Sequence, residues 1–252
     1  MAQLSSIRLL HNDRIDLPGS NRTLQITRPA GICPFDISPF FDAAVGDPTQ
    51  DFNPVWSMIW PSGVVLAGVI AREPGIFQGK RVLELGPGVG VTAVAAMDAG
   101  ADLVVADSEP GSLALCALNA LNQVGREPQT LLVDWRDSSR DLVAAARAGF
   151  AVVLAADVLY DRQTIKLMKT LLERLVAPGG EVWIAHPGRR ITENFVNTLR
   201  AWGWWGRSEE CASTHPDPLV HTQYIVNVHR LHRPLGAEMR SIAPDEDDND
   251  VS

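Results

Sequence analysis

Short apolar stretches alternate with helical stretches through the middle of the chain, and this alternation constrains the fold more than any other feature. The apolar stretches, each of strand length, lie at 80–85, 103–106, 130–133, 150–155 and 181–185. Between them lie helical stretches such as 162–176, whose apolar residues recur at the i, i+3, i+4, i+7 spacing of one helix face. Short strands that alternate with helices form a mostly parallel sheet covered by helices on both faces. The sequence therefore predicts an α/β, doubly wound fold.

The last part of the chain departs from this alternation. Residues 204–211 and 222–231 both alternate between apolar and polar side chains, and a proline-rich loop rather than a helix joins them. Two strands that are joined without a crossover helix pair in antiparallel fashion. We therefore expect a Rossmann-like, mostly parallel sheet of seven strands that closes with a C-terminal antiparallel hairpin.

The two ends of the chain differ from this core. Residues 1–55 contain one strand-like stretch, 23–27, followed by a segment dense in proline and aromatic residues that excludes regular helix. Residues 235–252 are rich in acids and poor in apolar side chains, which is typical of disorder. We therefore predict an N-terminal cap over 1–55, a main domain over 56–234 and a disordered acidic tail over 235–252.

Charge and composition exclude several classes of protein. The formal net charge is −8, of which residues 238–252 carry −5, so the body of the chain is nearly neutral and lacks the basic excess of a nucleic-acid-binding surface. The longest apolar runs are far shorter than the roughly 20 residues of a membrane span. Three lone cysteines and a start without a secretory signal fit a reducing compartment. We expect a cytoplasmic protein that binds neither nucleic acid nor membrane; the sequence indicates no oligomeric state.

A glycine loop follows the first strand of the alternation and opens a helix. Residues 84–90 read Glu-Leu-Gly-Pro-Gly-Val-Gly. Gly86 permits a tight turn, Gly88 lets a ligand approach the backbone, and the helix amides after Gly90 offer hydrogen-bond donors. The Gly-Lys-Ser/Thr of a phosphate loop is missing, and Val91 stands where a dinucleotide fingerprint needs its third glycine.

Acidic residues follow at the ends of the next strands. Asp107 ends the second strand, where a carboxylate can accept hydrogen bonds from both hydroxyls of a ribose. The alternative is that Asp107 caps the helix after it. Asp134 and Trp135 follow the third strand, and the indole of Trp135 offers a large apolar face to a ring.

This ordered set of motifs resembles the class I, seven-β-strand, S-adenosylmethionine-dependent methyltransferases. The resemblance implies that the glycine loop wraps the methionine portion of the cofactor, with Glu84 near its amino group. It also implies that Asp107 binds the ribose, that Asp134 accepts from the adenine amino group, and that Trp135 stacks beside the ring. S-adenosylmethionine would then be the cofactor and S-adenosylhomocysteine the product.

Two further stretches resemble the protein-lysine methyltransferases of this class, in particular the electron-transfer-flavoprotein β-subunit lysine methyltransferases and their bacterial relatives. They are Trp-Ser-Met-Ile-Trp-Pro-Ser-Gly at 56–63 and Asp-Val-Leu-Tyr-Asp at 157–161. The resemblance implies that Trp60 and Ala156 lie against the cofactor and that Asp157 and Tyr160 face the substrate. The relatives carry Asp-Pro-Gly-Arg after the fifth strand, whereas this chain has His186 in place of the aspartate, on the substrate side.

The chemistry assigns roles to Asp157 and Tyr160. Methyl transfer is an in-line displacement, so the enzyme mainly holds the nucleophile, the methyl group and the sulfur in line. A lysine amine, with a reference pKa of about 10.4, must first lose a proton. Asp157 can orient the amine and take up that proton, with Tyr160 as a hydroxyl or ring wall of the methyl channel. The alternative is that Asp157 caps the helix beginning near Arg162 and that Tyr160 only packs.

Other residues admit a structural interpretation as well. Trp60 competes with an ordinary core tryptophan, and His186 is better explained as a loop residue bonded to backbone than as a base. His229 and His232 lie an odd number of residues apart on a predicted strand and point to opposite faces, so we expect no metal site. The tryptophans near the C-terminal hairpin favour core and strand packing over base stacking: Trp202, Trp204 and Trp205.

Several functions remain open at this level. A protein-lysine methyltransferase is favoured, with a protein substrate that the acidic tail could recruit. The alternative is a small-molecule N- or O-methyltransferase on the same fold, for which the proline-rich segment 29–54 could serve as a lid. A binding module without catalysis would be expected to lose acids such as Glu84, Asp107 and Asp134. A nucleic-acid methyltransferase would need a basic face and an Asn-Pro-Pro-Tyr-like motif.

Overall fold

The computed structural model describes residues 10–30, 54–135, 140–218 and 221–236. The strands are β1 (Leu10–Asp16), β2 (Thr23–Pro29), β3 (Arg81–Leu85), β4 (Asp102–Asp107), β5 (Gln129–Leu132), β6 (Phe150–Ala156), β7 (Val176–His186), β8 (Trp205–Ala212) and β9 (Ile225–His232). The helices are α1 (Pro61–Arg72), α2 (Val91–Asp98), α3 (Pro110–Val124), α4 (Arg140–Ala146), α5 (Arg162–Leu175) and α6 (Arg190–Ala201). Short 3₁₀ turns lie at Pro54–Ser57 and Pro74–Ile76.

Seven strands form one sheet in the order β5-β4-β3-β6-β7-β9-β8. The first five strands run parallel, and β9 pairs antiparallel with both β7 and β8. The predicted mostly parallel sheet with a C-terminal antiparallel hairpin is therefore confirmed. The hairpin does not simply extend the sheet, because its second strand, β9, inserts between β7 and the first hairpin strand.

Helices cover both faces of the sheet. One face packs against α1, α2 and α3, and the other against α4, α5 and α6. Successive residues of each central strand divide between the two layers: Val82 joins the first cluster and Leu83 the second. Strands that are apolar throughout follow from this double covering, because neither face meets water.

A hairpin of β1 and β2 packs on the first layer. Its apolar side chains join the core there, including Ile15 and Ile26, both fully buried. Asn119 of α3 is buried and fixes the hairpin: its Oδ1 accepts from the Thr27 N–H at 2.8 Å, and its Nδ2 donates to the carbonyl oxygens of Thr27 and Val89 at 2.8 Å each. This part of the predicted N-terminal cap is thus packed onto the main domain. The proline-rich residues 31–53 and the acidic residues 237–252 lie outside the described residues.

Strand β7 differs from the prediction at its start. It begins at Val176, so the expected Pro-Gly-Gly turn at 178–180 lies inside the strand as an irregularity of pairing with β6. A Cβ at Gly180 would lie 2.9 Å from the carbonyl oxygen of Phe150. The glycine therefore permits a close approach of two backbones that any side chain would prevent.

Three elements are not among the predicted ones: β1, α4 and α6. Helix α4 has only seven residues, too few for a clear periodicity. Helix α6 carries a usable signal, since its buried residues recur at the i, i+3, i+4, i+7 spacing of a half-buried helix: Thr192, Phe195, Val196 and Leu199.

The burial of side chains decides the interpretation of two apolar features, the stretch Val55–Arg72 and the tryptophans at 204 and 205. Residues Val55–Arg72 are long and apolar enough to cross a membrane by composition, but 67% of that stretch is buried, as in the core helix of a globular domain. Trp204 is buried as expected. Trp205 is 62% exposed and stacks on His232, its partner on the neighbouring strand, with ring centroids 4.3 Å apart, so it shows the predicted strand packing and is not part of the core.

Candidate active site

Four acidic residues meet at the carboxyl edge of the sheet. Glu84 lies near the end of β3, Asp107 ends β4, Asp134 follows β5 and Asp157 follows β6. These four strands are parallel neighbours, and their register places Leu85 level with both Ala106 and Ala155. The expectation that the acids share one edge of the sheet is confirmed. Ligands of open α/β sheets bind at this edge.

The glycine loop lies at the centre of that edge. Gly86, Gly88 and Gly90 have φ of 64°, 54° and 90°, which is the left-handed region that favours glycine. A Cβ on Gly86 would lie 2.6 Å from Val158 Cγ1, and one on Gly90 would lie 2.9 Å from the Cα of Cys116. The loop is therefore packed as tightly as only glycine allows, and it leads into the unpaired N–H groups of the first turn of α2.

Glu84 is buried beside this loop, and its Oε2 has no hydrogen-bond partner among the described residues. Burial raises the pKa of the Glu84 carboxyl to about 8, against the lowering effect of the Thr92 hydroxyl and with a smaller rise from the charge of Asp107. A buried oxygen without a donor is costly. A ligand that brings a cationic or N–H group to Glu84 would remove that cost.

Asp107 holds the connection between β4 and α3. Its Oδ1 accepts from the Glu109 N–H at 3.0 Å, and its Oδ2 accepts from the Ser112 hydroxyl at 2.6 Å. Burial raises the pKa of Asp107, although these donors oppose the rise. Glu109 rather than Asp107 is the N-terminal cap residue of α3, so the alternative that Asp107 caps this helix is wrong. Since each carboxylate oxygen has further lone pairs, these contacts leave acceptor capacity for a ligand.

Asp134 and Trp135 come to the same place from β5. The Val133 N–H donates to the carbonyl oxygen of Asp107 at 2.9 Å, which brings the end of β5 beside β4. The ring of Trp135 is half-buried and lies 3.8 Å from where a Cβ on Gly86 would be. Its Nε1 is buried without a partner in the described part of the chain. The indole therefore faces the glycine loop with an unused donor.

Of the two tryptophans before α1, Trp56 lies nearer the glycine loop. A Cβ on Gly88 would lie 3.1 Å from the Trp56 carbonyl oxygen, and one on Gly111 would lie 2.7 Å from its ring. Trp60 is half-buried at the start of α1, and its Nε1 donates to the Val55 carbonyl oxygen at 3.0 Å. Trp56 belongs to the same sequence motif as Trp60, so the motif held the signal for both.

Asp157 directly follows β6 in a strained conformation. Its φ is +58°, which is unusual for a residue other than glycine, and its N–H donates to the carbonyl oxygen of Ala185 at 2.9 Å. Its Oδ1 accepts from Arg189 Nε at 3.2 Å and from Arg189 Nη2 at 3.1 Å. Burial raises the pKa of Asp157, and the positive charge of Arg189 opposes that rise. Strain of this kind concentrates at functional sites.

The interpretation of Asp157 as the cap of α5 is wrong. Asp161 is the cap, since its Oδ1 accepts from the Thr164 N–H at 2.8 Å. Tyr160 is 59% exposed, so it does not pack in the core either. The loop that carries it is tied to α6, because the Thr192 hydroxyl donates to the Leu159 carbonyl oxygen at 2.7 Å. Ala156 is half-buried at the end of β6, level with Ala185.

His186 and His229 are both buried and form a pair beside this loop. Their Nε2 atoms lie 2.9 Å apart, and the Arg189 N–H donates to His186 Nδ1 at 2.9 Å. The predicted bond of His186 to backbone is found, but the prediction that His186 is a loop residue is wrong, because it is the last residue of β7. The His232 ring points away from the His186–His229 pair and stacks on Trp205. The expectation that His229 and His232 face opposite sides of the strand is therefore confirmed.

The pair has the ligand types of a metal site, but its hydrogen bonds favour another arrangement. His186, His229 and Glu193 each place one ligand atom within 4.8 Å of the others. A neutral imidazole whose Nδ1 accepts a hydrogen bond carries its proton on Nε2. Nε2 of His186 is thus a donor to His229 rather than a lone pair for a metal ion.

A sequence model of the lysine methyltransferase family matches residues 49–202, which is more than half of the chain. The chain belongs to the lysine methyltransferase family. The predicted resemblance to class I methyltransferases and to their lysine-directed branch is confirmed.

One relative is named a lysine methyltransferase and another an O-methyltransferase. The chain is 31% identical over 143 residues to the electron transfer flavoprotein beta subunit lysine methyltransferase of Rattus norvegicus, covering 54% of this chain and 52% of that protein. It is 33% identical over 104 residues to a ubiquinone biosynthesis O-methyltransferase of Cereibacter sphaeroides, covering 41% and 40%. The chain spans about half the length, or less, of these two relatives.

A solved structure shares the fold of this lysine methyltransferase family member. Magnesium protoporphyrin IX methyltransferase of Synechocystis, with bound S-adenosylmethionine, has a TM-score of 0.51 and covers 81% of this chain and 99% of its own. The two sequences are 15% identical. The likeness supports the Rossmann-like methyltransferase fold.

Proposed function

We propose that the chain transfers a methyl group from S-adenosylmethionine to a lysine amine of a protein. The observation that carries the proposal is Asp157, a strained and buried carboxylate at the end of β6, beside the glycine loop of a lysine methyltransferase family member. Such a group is placed where an acceptor amine and a cofactor can meet at one edge of the sheet.

The residues at the carboxyl edge fit the cofactor that the family implies. The unpartnered Oε2 of Glu84 and the unused Nε1 of Trp135 are polar atoms that a ligand can satisfy. The residues that would hold the cofactor are Trp60, Glu84, Gly86, Gly88, Gly90, Asp107, Asp134, Trp135 and Ala156. When bound, S-adenosylmethionine supplies a methyl group activated by a sulfonium charge.

Asp157 would act on the acceptor. A lysine side chain is protonated at neutral pH and becomes a nucleophile only after it loses a proton. Asp157 can orient the ammonium group and accept its proton, and the pKa that burial raises makes Asp157 a stronger base than an exposed aspartate. Arg189 keeps the carboxylate oriented through two hydrogen bonds to Oδ1. Tyr160, exposed beside Asp157, would line the entry of the acceptor side chain.

A protein substrate is favoured over a small molecule. The family and the rat relative support it, and the exposed Tyr160 places the acceptor side of the site at the surface, where a protein segment can reach it. The second candidate, a small-molecule N- or O-methyltransferase, is favoured by the similarity to the ubiquinone biosynthesis O-methyltransferase.

The lone cysteines support action in a reducing cytoplasm, since both cysteines that the structure describes are free thiols.

Transfer of labelled methyl groups distinguishes the two candidates. The purified chain is incubated with methyl-labelled S-adenosylmethionine and a lysate of the host cells, with and without prior protease treatment of the lysate. Label in a protease-sensitive band that hydrolyses to methylated lysine supports the proposal. Label confined to small molecules would replace it by the second candidate. The variant Asp157→Asn, which retains size and hydrogen bonding, serves as the matched background.

A further inference from the structure

The pair His186–His229 joins three neighbouring strands to the acceptor side of the site. In the register of the sheet, His186 lies opposite Asn227 of β9, and His229 lies opposite Ile184 of β7 and Ser208 of β8. The two histidines are thus diagonal neighbours across β7 and β9, and their nearly parallel rings meet edge to edge, with centroids 5.1 Å apart and an interplanar angle of 16°. The contact is fixed by the sheet itself.

Hydrogen bonds define where the protons of the pair lie. The Arg189 N–H donates to His186 Nδ1, so His186 carries its proton on Nε2 and donates it to His229 Nε2. His229 then carries its own proton on Nδ1, which lies 2.7 Å from the Ser208 hydroxyl oxygen. In the hydrogen-bonded series Arg189–His186–His229–Ser208, every contact has one donor and one acceptor only when both rings are neutral.

One end of this series of hydrogen bonds is Arg189, the residue that orients Asp157. The same Arg189 whose N–H donates to His186 reaches Asp157 Oδ1 with its guanidinium. His186 therefore fixes one end of the turn 186–189. At the other end, the position of the Arg189 backbone determines where its guanidinium meets Asp157. A movement of the turn would displace the guanidinium from the carboxylate.

Charged groups face the pair from every side. Glu193 of α6 has Oε1 at 3.3 Å from His186 Nε2 and 3.4 Å from His229 Nε2, and it also accepts from Asn227 Nδ2 at 2.9 Å. Arg189 and Arg200 oppose protonation of the pair, and Arg200 donates to Ser208. Burial lowers the pKa of His186 to about 4 and lowers that of His229, against the effect of Glu193. Both rings are accordingly neutral at pH 7.

We propose that His186 and His229 are positioning residues of the acceptor site, which in their neutral, hydrogen-bonded form hold Arg189 on Asp157. This inference rests on the proposed function only for its kinetic consequence. When His229 gains a proton on Nε2, two N–H groups face each other at the Nε2 contact; when His186 gains one on Nδ1, its new N–H faces the Arg189 N–H instead. In the first case the two rings separate, and the Glu193 carboxylate accepts a hydrogen bond from the protonated ring. In either case the turn 186–189 loses a contact that fixes it.

Variants at His229 separate positioning from general structure. His229→Gln retains an acceptor for the His186 proton and cannot become charged, whereas His229→Leu has a similar volume and no acceptor. We expect His229→Gln to retain kcat within about twofold and His229→Leu to lose about tenfold to a hundredfold, the scale of a misplaced catalytic group. The dissociation constant of S-adenosylmethionine should stay within about twofold in both, since the pair lies on the acceptor side. His232→Gln, on the same strand and stacked on an exposed ring, is the matched control.

The pH profile gives a second readout. As the pH falls below the ordinary histidine range toward the pKa of His186, about 4, we expect kcat of the wild type to fall more steeply than that of His229→Gln, which lacks the protonation at position 229. Equal acid limbs in the two proteins, or unchanged kcat in His229→Leu, would overturn the proposal.

Nuclear magnetic resonance tests the pair without any methyl acceptor. In the ¹⁵N-histidine-labelled protein, we expect His186 protonated on Nε2 and His229 on Nδ1. The Arg189 amide should exchange with solvent faster in His229→Leu than in the wild type or in His229→Gln. Opposite tautomers, or one equivalent of bound zinc with both Nε2 atoms unprotonated, would contradict the inference. Because this measurement needs no substrate, its outcome is independent of whether the proposed function fails.

Discussion

At the scale of single residues, the proposed contact of Glu84 with the cofactor would link proton binding to cofactor binding. Its pKa of about 8 means that the folded protein holds a proton that the unfolded chain releases near pH 4.5. The free energy of unfolding therefore falls as the pH rises from about 4.5 to about 8, and the full cost of the buried charge remains above that range. A cationic ligand next to Glu84 would reverse this cost.

We predict opposite effects of Glu84→Gln on stability and binding. At about pH 9, where Glu84 is ionised in the wild type, the variant should have a higher thermal midpoint without ligand, by several degrees. Its affinity for S-adenosylmethionine should be lower by about tenfold or more. For the wild type, affinity should rise with pH up to about 8 and then level off, whereas the variant should show no such rise. Calorimetric titrations across pH measure the affinity of the wild type and of the variant. A parallel pH dependence of the two affinities would exclude Glu84 as the group whose protonation is linked to binding.

Asp157→Asn is predicted to separate chemistry from cofactor binding. The amide keeps an acceptor for Arg189 but takes up no proton from the acceptor amine, so kcat should fall by about a hundredfold or more. The dissociation constant of S-adenosylmethionine should stay within a few fold. Single-turnover rates and equilibrium binding, measured on the same preparation, give both values. An unchanged turnover would remove Asp157 from the mechanism.

Sequence reasoning identified the acids but not their partners. Glu84, Asp107, Asp134 and Asp157 are predictable because parallel strands end at a common edge. The pairing of Arg189 with Asp157 is not predictable in the same way, since it depends on the turn after β7. The contact of His186 with His229 needs the register of β7 and β9, which no local pattern encodes.

At the scale of elements, the glycine loop depends on two separate constraints. Gly90 has a positive φ, and a Cβ there would meet backbone of α3 at Cys116. Gly125, at the end of α3, has a φ of +75° but nothing within 4 Å of the same position. Comparison of the two glycines therefore separates conformational strain from close packing.

We predict that Gly125→Ala lowers the free energy of unfolding by about 1 kcal/mol, from the left-handed backbone alone. Gly90→Ala should lower it by about 2–3 kcal/mol, because the loop or α3 must also move. Urea denaturation measures both. Equal losses would mean that the loop yields without disturbing α3, and the packing argument would then be wrong.

Most elements were predictable, and the exceptions have physical causes. The central strands stand out because they are apolar on both faces, and the helices between them follow from their periodicity. Helix α4 is too short for periodicity to appear. The start of β7 is obscured by its Pro-Gly-Gly residues, which ordinarily end a strand and here accommodate a close backbone approach.

At the scale of the whole molecule, Asn119 connects the N-terminal hairpin to the cofactor side. Its side chain bonds the backbone of Thr27 in β2 and the carbonyl oxygen of Val89 in the glycine loop. Gln123 of the same helix accepts from the Gln25 N–H at 3.2 Å, but it is exposed. Asn119 thus makes three hydrogen bonds in a buried environment, whereas Gln123 makes a single, longer one to the same hairpin in an exposed environment.

We predict that Asn119→Ala lowers the free energy of unfolding by about 2 kcal/mol or more, because buried backbone groups lose their partners. It should also weaken S-adenosylmethionine binding, since the glycine loop loses a support. Gln123→Ala should change stability by less than about 0.5 kcal/mol. Hydrogen exchange of β2 amides, together with cofactor titration, tests this. Loss of hairpin protection without any loss of affinity would show that the hairpin and the loop are independent.

The position of β9 between β7 and β8 also determines when the molecule can be completed during synthesis. Strand β8 is made first, and among the strands of the described ranges its partner in the sheet is β9, which is made later. Until residues Ile225–His232 have left the ribosome, β7 therefore presents an open edge. A nascent chain at that stage is exposed to intermolecular strand pairing, and the emergence of His232 from the ribosome ends the exposure.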